Sequence, residues 1–300
     1  MSGAGAVGLY GKVGSQPDFL RAGAGAFCQN GLDRWLQEGV EALRTERTQL
    51  PEEPTAFLLA PGGALAFVGV LAPSRDSAGR SFPLALFAEL PVAAAHEGLP
   101  SLPQRCASFL ADASGLVAQA ADLDGAEISR RMQALDARLS DTPEPHAWKN
   151  QPVRTLAAMF DGSLPAAAFA LSTLVTACDR ATAGTDTATA TLTVDAPVDG
   201  EATAALWLEI ARRRLGGAQA VPSLLWTKGP EARLLVTLGP PSPMALAFLA
   251  NPRHRSSRLW PLRTTVANAM DHAWAALSPG QRAVLEAPDA ALGHLSAEFT

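Results

Sequence analysis

The stretch Ala56-Phe57-Leu58-Leu59-Ala60-Pro61-Gly62-Gly63-Ala64-Leu65-Ala66-Phe67-Val68-Gly69-Val70-Leu71-Ala72 decides the fold class. It holds two apolar runs, Ala56 to Ala60 and Ala64 to Ala72, around a Pro-Gly-Gly turn. Runs this short, bounded by turn residues, predict two paired strands. Neither alternates polar with apolar, so both faces of the sheet are expected to be covered by helices. Working outward, Ala6 to Val13 predicts a first strand and Phe82 to Leu90 another.

Between them, Leu32, Trp35, Leu36, Val40 and Leu43 recur at helical spacing, with Asn30 the expected N-cap and Asp33 three residues on. Two helices are expected over Gln104–Ala121 and Gly125–Leu139, the second capped by Asp124 with Glu127. The later part predicts helices from Val153 and from Leu164, a strand over Thr187–Val194 and a helix from Glu201 to Leu215 closed by Gly216-Gly217. A hairpin follows, Leu224–Trp226 with Leu234–Leu238 turning at Lys228-Gly229-Pro230-Glu231, and then a helical end, Val266 to Phe299. The expected architecture is α/β, a three-layer sandwich with a sheet covered by helices, plus a smaller C-terminal α/β part. Three prolines, Pro143, Pro145 and Pro152, suggest an N-terminal domain over 1–140, a linker over 141–152 and a C-terminal domain over 153–300.

Bulk properties narrow the function classes. The 300 residues are 48% hydrophobic and 18% charged with net charge −5, which supplies a core and no general attraction for nucleic acid or anionic lipid. No signal peptide is read at Met1–Gly11, and no apolar run reaches membrane-spanning length, so a cytoplasmic protein without direct membrane insertion is expected. Cys28, Cys106 and Cys178 are far apart and the five histidines lack ligand spacing, so neither a metal site nor a disulfide framework is expected.

Chemical motifs fail in context. Gly3-Ala4-Gly5-Ala6-Val7-Gly8 matches the dinucleotide pattern but precedes the first strand, where no cofactor would be cradled. Gly11-Lys12 lacks the hydroxyl residue of a phosphate loop, since Val13 follows. Asp122-Leu123-Asp124-Gly125 has the form of a phosphatase nucleophile but suits a helix cap better. Arg253, His254, Arg255 and Arg258 form a basic loop that reads chiefly as solvated surface, with an acidic partner or a phosphate as the other reading. No catalytic residue and no cofactor are assigned.

Two segments carry polar residues that composition does not explain. One is Gly8-Leu9-Tyr10-Gly11-Lys12, Pro17-Asp18-Phe19-Leu20-Arg21, Phe27 and Asp33-Arg34-Trp35-Leu36-Gln37. The other is Gly69-Val70-Leu71-Ala72-Pro73-Ser74-Arg75-Asp76-Ser77-Ala78-Gly79-Arg80-Ser81-Phe82-Pro83-Leu84. Physically, Asp18 and Arg21 could close a charged turn, Ser74 and Asp76 could bond turn amides, Gly79 could supply an unusual backbone angle, and Arg80 could bridge to the turn carboxylates. Trp35 and Phe82 offer core or interface area.

Together these segments resemble the TagF family, also called ImpM, of type VI secretion accessory proteins, whose pattern runs roughly GxxGKxPxxGDFxR, then F…WDxWLQ, then GVxxPSxDxxGRxFPL. Pro222-Ser223-Leu224-Leu225-Trp226-Thr227-Lys228-Gly229, followed by Leu238-Gly239-Pro240, resembles a later family element. Pro17 stands where the family has glycine before Asp-Phe, and Leu32 where it has an aromatic. The resemblance implies a three-layer α/β fold and a post-translational repressor of secretion-apparatus assembly. It would act by binding regulatory or scaffold proteins, a forkhead-associated scaffold among them, without catalysis. Gly11, Lys12, Asp18, Phe19, Arg21, Asp33, Trp35, Pro73, Ser74, Asp76, Gly79, Arg80, Phe82, Pro83 and Trp226 are the residues it marks. Two other readings stand beside it: a hydrolase or phosphatase using Asp18, Asp76 and Arg80, and a structural component of the machine.

Overall fold

A computed structural model describes residues 5–140, 146–183, 191–217, 221–229 and 232–300. In chain order the strands are β1 (Val7–Gly11), β2 (Leu20–Ala22), β3 (Thr55–Leu59), β4 (Leu65–Ala72), β5 (Leu84–Pro91), β6 (Leu192–Pro197), β7 (Ser223–Trp226), β8 (Arg233–Leu238) and β9 (Leu259–Pro261). The helices are α1 (Gly25–Gln29), α2 (Leu32–Thr45), α3 (Val92–Gly98), α4 (Leu102–Arg105), α5 (Ala107–Gln119), α6 (Gly125–Gln133), α7 (Arg154–Ala158), α8 (Leu164–Ala183), α9 (Glu201–Leu215), α10 (Met244–Ala250), α11 (Ala267–Ala275), α12 (Pro279–Glu286) and α13 (Leu292–Glu298).

The strands form one sheet in the order β2-β1-β5-β4-β3-β7-β8-β6-β9. Every pairing is antiparallel except β6 with β9. Strands from before and after residues 141–152 are hydrogen-bonded into this single sheet through β3 and β7, with Phe57 opposite Leu225. Both edge strands have only three residues, which limits the unpaired backbone offered to other chains.

Side chains alternate strictly between two apolar layers, as the period of a strand demands. On β4, Ala66, Val68, Val70 and Ala72 enter one layer while Phe67 and Leu71 enter the other. The first layer lies beneath α5, α8 and α9 and is filled by Leu110, Ala113, Leu171, Leu174, Leu206, Trp207 and many alanines. The second lies beneath α1, α2 and α10 and is rich in rings: Tyr10, Phe27, Phe57, Phe67, Phe87 and Phe248. The sheet covered by helices on both faces is the α/β sandwich expected from the doubly apolar strands, and the C-terminal part extends the same sheet.

Several local expectations need correction. Gly31, in the left-handed region at φ 73°, caps α2 without a side-chain bond, while Asn30 Nδ2 donates to the Ala26 carbonyl at 2.8 Å. The helix after Asp124 stops at Gln133 rather than Leu139, with the Ala134 and Leu135 N–H groups turning back to the Arg131 and Met132 carbonyls. The strand expected at Thr187–Val194 is shifted to Leu192–Pro197, with Thr187–Ala190 outside the described residues, as are Pro230 and Glu231 of the expected turn. Asp124 does cap α6, accepting from the Glu127 N–H at 2.7 Å, and Gly216 closes α9 at φ 74°.

Candidate functional site

The end of β1 and the loop between β4 and β5 meet because β1 and β5 are neighbours in the sheet. Tyr10 on β1 stands opposite Ala85 on β5, so Gly11 and Lys12 run past Pro83. Gly11 has φ 148°, and a β-carbon there would collide with the Pro83 carbonyl. The motif glycine and the buried Pro83 are therefore two sides of one close backbone approach.

Lys12 leaves this crossing with its side chain 9% exposed and reaches Asp76, whose side chain is fully enclosed. Asp76 Oδ2 accepts from Lys12 Nζ at 2.6 Å and from Arg80 Nε at 2.7 Å. Asp76 Oδ1 accepts the backbone N–H groups of Ala78 at 3.0 Å and Arg80 at 2.8 Å. These four donors fill the acceptor sites of the carboxylate. Burial on its own would raise the Asp76 carboxyl, but the bonds from Lys12 and Arg80 outweigh it and hold the group well below the usual carboxylate range.

The loop is closed further by Gly79, whose N–H donates to the Asp76 carbonyl at 2.9 Å and whose φ is 79°. Phe82 N–H donates to the Ser74 carbonyl at 3.0 Å. The Ser74 hydroxyl bonds no turn amide among the described residues; it donates to the Lys12 carbonyl at 2.8 Å and ties the loop to β1. Arg80 also donates from its guanidinium to the Pro17 carbonyl, and the Ser77 N–H donates to the Gln16 carbonyl, so the segment before Asp18 is stitched to the same loop.

An aromatic wall stands beside this charged centre. Phe19 packs edge-on against Phe82 at 4.8 Å and stacks on Tyr10 at 5.4 Å. Lys12 Nζ lies 5.5 Å above the Phe19 ring. Arg21, exposed, spreads over Tyr10 and Phe19 at 5.4 and 5.9 Å, and no salt bridge joins it to Asp18 among the described residues. The charged turn expected from Asp18 and Arg21 is thus replaced by a cation over rings. Asp18 points to solvent, outside the Asp76 cluster.

Phe82 connects the loop to α2, where an open cavity of about 610 Å³ is lined by Arg34, Gln37, Glu38, Val40, Glu41, Arg44 and Phe82. Asp33 sits in the first turn of α2, where a carboxylate suits the helix dipole. Trp35 is 5% exposed in the ring-rich layer, and its indole N–H has no hydrogen-bond partner among the described residues. Pro73 is exposed at the end of β4. Trp226 does not join this group: it lies on β7 in the opposite layer, opposite Ala56. Sequence reasoning left out Tyr10, which is fully buried between Phe19, Phe27 and Phe82, with its hydroxyl accepting from Gln37 Nε2 at 3.4 Å. Its place two residues before Lys12 was the available signal.

Elsewhere the three free thiols are shifted away from the thiolate form. Burial pushes the Cys106 and Cys178 thiols up to about 12, and burial and Asp33 raise Cys28. Among the described residues no three His, Cys, Asp or Glu side chains gather as a metal site would require, and no helix is long and apolar enough to cross a membrane.

Comparison with known proteins places the first part of the chain. A crystal structure of PA0076 from Pseudomonas aeruginosa PAO1 is similar at 21% identity, covering 85% of this chain and 99% of that one with a TM-score of 0.49. No curated protein matches the chain. Residues 8–140 match the family model described as the TagF N-terminal domain, type VI secretion system-associated. That span contains β1 from Gly8 onward, β2 to β5 and the whole Lys12–Asp76–Arg80 cluster. Residues 8–140, a little under half of the chain, thus form a TagF N-terminal domain, type VI secretion system-associated.

Proposed function

We propose that the protein is a post-translational negative regulator of type VI secretion-apparatus assembly that acts in the cytoplasm by binding other proteins, a forkhead-associated scaffold being the expected partner. The observation that carries this reading is the saturation of Asp76. A carboxylate enclosed by Lys12, Arg80 and two backbone N–H groups is an architectural tie: to act as nucleophile or base it would have to give up bonds that hold two loops together. Asp18, the other carboxylate of a hydrolase reading, faces solvent away from it. The tie instead fixes a surface of exposed groups — Asp18, Arg21, Pro73 and the polar side of α2 — on a rigid base, as a recognition surface requires. A permanently built-in component would be expected to expose a large apolar face; the one large hydrophobic side chain exposed among the described residues is Val266.

The test is affinity capture of the tagged full chain from its native cells under crosslinking, read by mass spectrometry. Recovery of a forkhead-associated scaffold or another secretion component, together with increased secretion when the chain is deleted, is expected. Recovery of the chain alone, with turnover of a phosphoester substrate that is lost in Asp76→Asn, would replace this reading with the enzymatic one.

A further inference from the structure

From Ala232 to Met270 the chain contains no Asp or Glu, although acids outnumber Lys and Arg by 29 to 24 overall. The arginines of this stretch divide into two groups. Arg233 is spent inside, on Asp195 at 2.8 Å and on the Phe248 and Leu249 carbonyls, and Arg263 donates to the Met159 carbonyl. Arg253, Arg255 and Arg258, in the loop joining α10 to β9, are exposed and join no carboxylate among the described residues.

This loop is shaped. Asn251 Oδ1 accepts the Arg253 N–H at 3.0 Å and Ser256 Oγ accepts the Arg258 N–H at 3.1 Å, setting an Asx turn and a serine turn at its two ends. Between them His254 is turned inward, 12% exposed, with its ring 5.1 Å from Phe248 and Nδ1 3.4 Å from Glu46 Oε2. Anchoring the central residue leaves its two arginine neighbours outside. Glu46, at the end of α2, is the one carboxylate paired with this loop among the described residues, and it is taken by the histidine.

We infer that this arginine loop is a docking surface for a short acidic segment of a protein partner. Guanidinium groups held on a fixed backbone, without internal counter-charges, are suited to bidentate pairing with carboxylates. The chain's net charge of −5 disfavours an extended polyanion or an anionic bilayer, whereas a short acidic segment meets only the local positive field. The inference rests on the binding-module reading and adds the chemistry of what is bound.

The test uses the full chain and a fluorescein-labelled octaglutamate peptide, with fluorescence anisotropy at low and high NaCl. Binding at low salt is expected to weaken as NaCl screens the charges, and to fall about tenfold or more in the triple variant Arg253→Gln, Arg255→Gln, Arg258→Gln at an unchanged Tm. Equal binding by the triple variant, no binding of octaglutamate at low salt, or tighter binding of a length-matched oligothymidylate or of phosphatidylserine vesicles would overturn the inference. Capture of secretion components by the wild-type chain separates the two levels. Capture without octaglutamate binding removes the arginine loop and keeps the binding module, and failure of both removes the module as well.

Discussion

The two apolar layers on either side of the sheet are built from different materials. Beneath α1, α2 and α10 the filling is aromatic: Phe27 stacks on Phe87 at 4.3 Å and meets Phe67 edge-on at 5.6 Å. Beneath α5, α8 and α9 it is mainly aliphatic and fine-grained, Trp207 being the largest fully buried exception, with Ala167, Ala168, Ala170 and Ala177 all fully buried on α8. Rings keep a helix away from the sheet and interlock through few large contacts, while alanines let helices approach closely through many small ones. The family motif lies on the aromatic side. Tyr10, Phe19 and Phe82 continue the ring network outward until it reaches Lys12 and Arg21, so the charged cluster is seated on a stiff wall.

This contrast predicts opposite sensitivities. Phe27→Ala is expected to destabilise the protein by about 3–5 kcal/mol in urea unfolding, because the neighbouring rings cannot collapse into the space. On the other side, enlargement should be the damaging change: Ala177→Leu is expected to cost about 1–3 kcal/mol by overpacking α8. If Ala177→Leu proved neutral while Phe27→Ala remained severe, the alanine layer would be looser than its burial indicates. Gly79→Ala is expected to cost about 1–2 kcal/mol from the left-handed backbone alone, since no atom beyond its immediate chain neighbours lies within 4 Å of the added carbon among the described residues. A much larger loss at Gly79 would mean that the loop carries strain beyond its φ.

The most subtle effect is confined to acid pH. The folded Asp76 carboxyl is held below its ordinary value, so its contribution is present above about pH 4 and is lost as the pH falls below that, towards the folded-state value. Asp76→Asn should flatten this part of the Tm-against-pH profile and leave the neutral-to-alkaline shape unchanged. A parallel downward shift of the whole acid limb would instead assign the pH dependence to other carboxylates.

Much of this organisation is legible in the sequence because it depends on period and turn chemistry. Ala56–Leu71 shows no polar alternation, and the structure puts helices on both of its faces; α9 ends where Gly216 permits a left-handed turn. The elements that sequence reasoning overlooked are short or tertiary in origin. β2 and β9 have three residues each and exist only because a neighbouring strand offers an edge, while α1 and α10 are single-layer covers of five and seven residues. At the site, the Asp76–Arg80 bond was readable from spacing within one loop, while the wider set of motif residues came from the family resemblance. The Lys12–Asp76 bond was not, because it joins residues 64 positions apart through the β1–β5 pairing. For the same reason Trp226 looked like a site residue: adjacency in a family pattern carries no information on which face of a strand a side chain takes.

The central claim is that the charged core of the motif holds the surface together and that recognition is left to the groups around it. Thermal unfolding of Lys12→Met tests it most directly, since the substitution keeps the buried stem and removes only the ammonium from Asp76. A cooperative transition at a clearly lower Tm than wild type is expected. An unchanged Tm together with lost capture of secretion components would contradict the account and make Lys12 a contact residue.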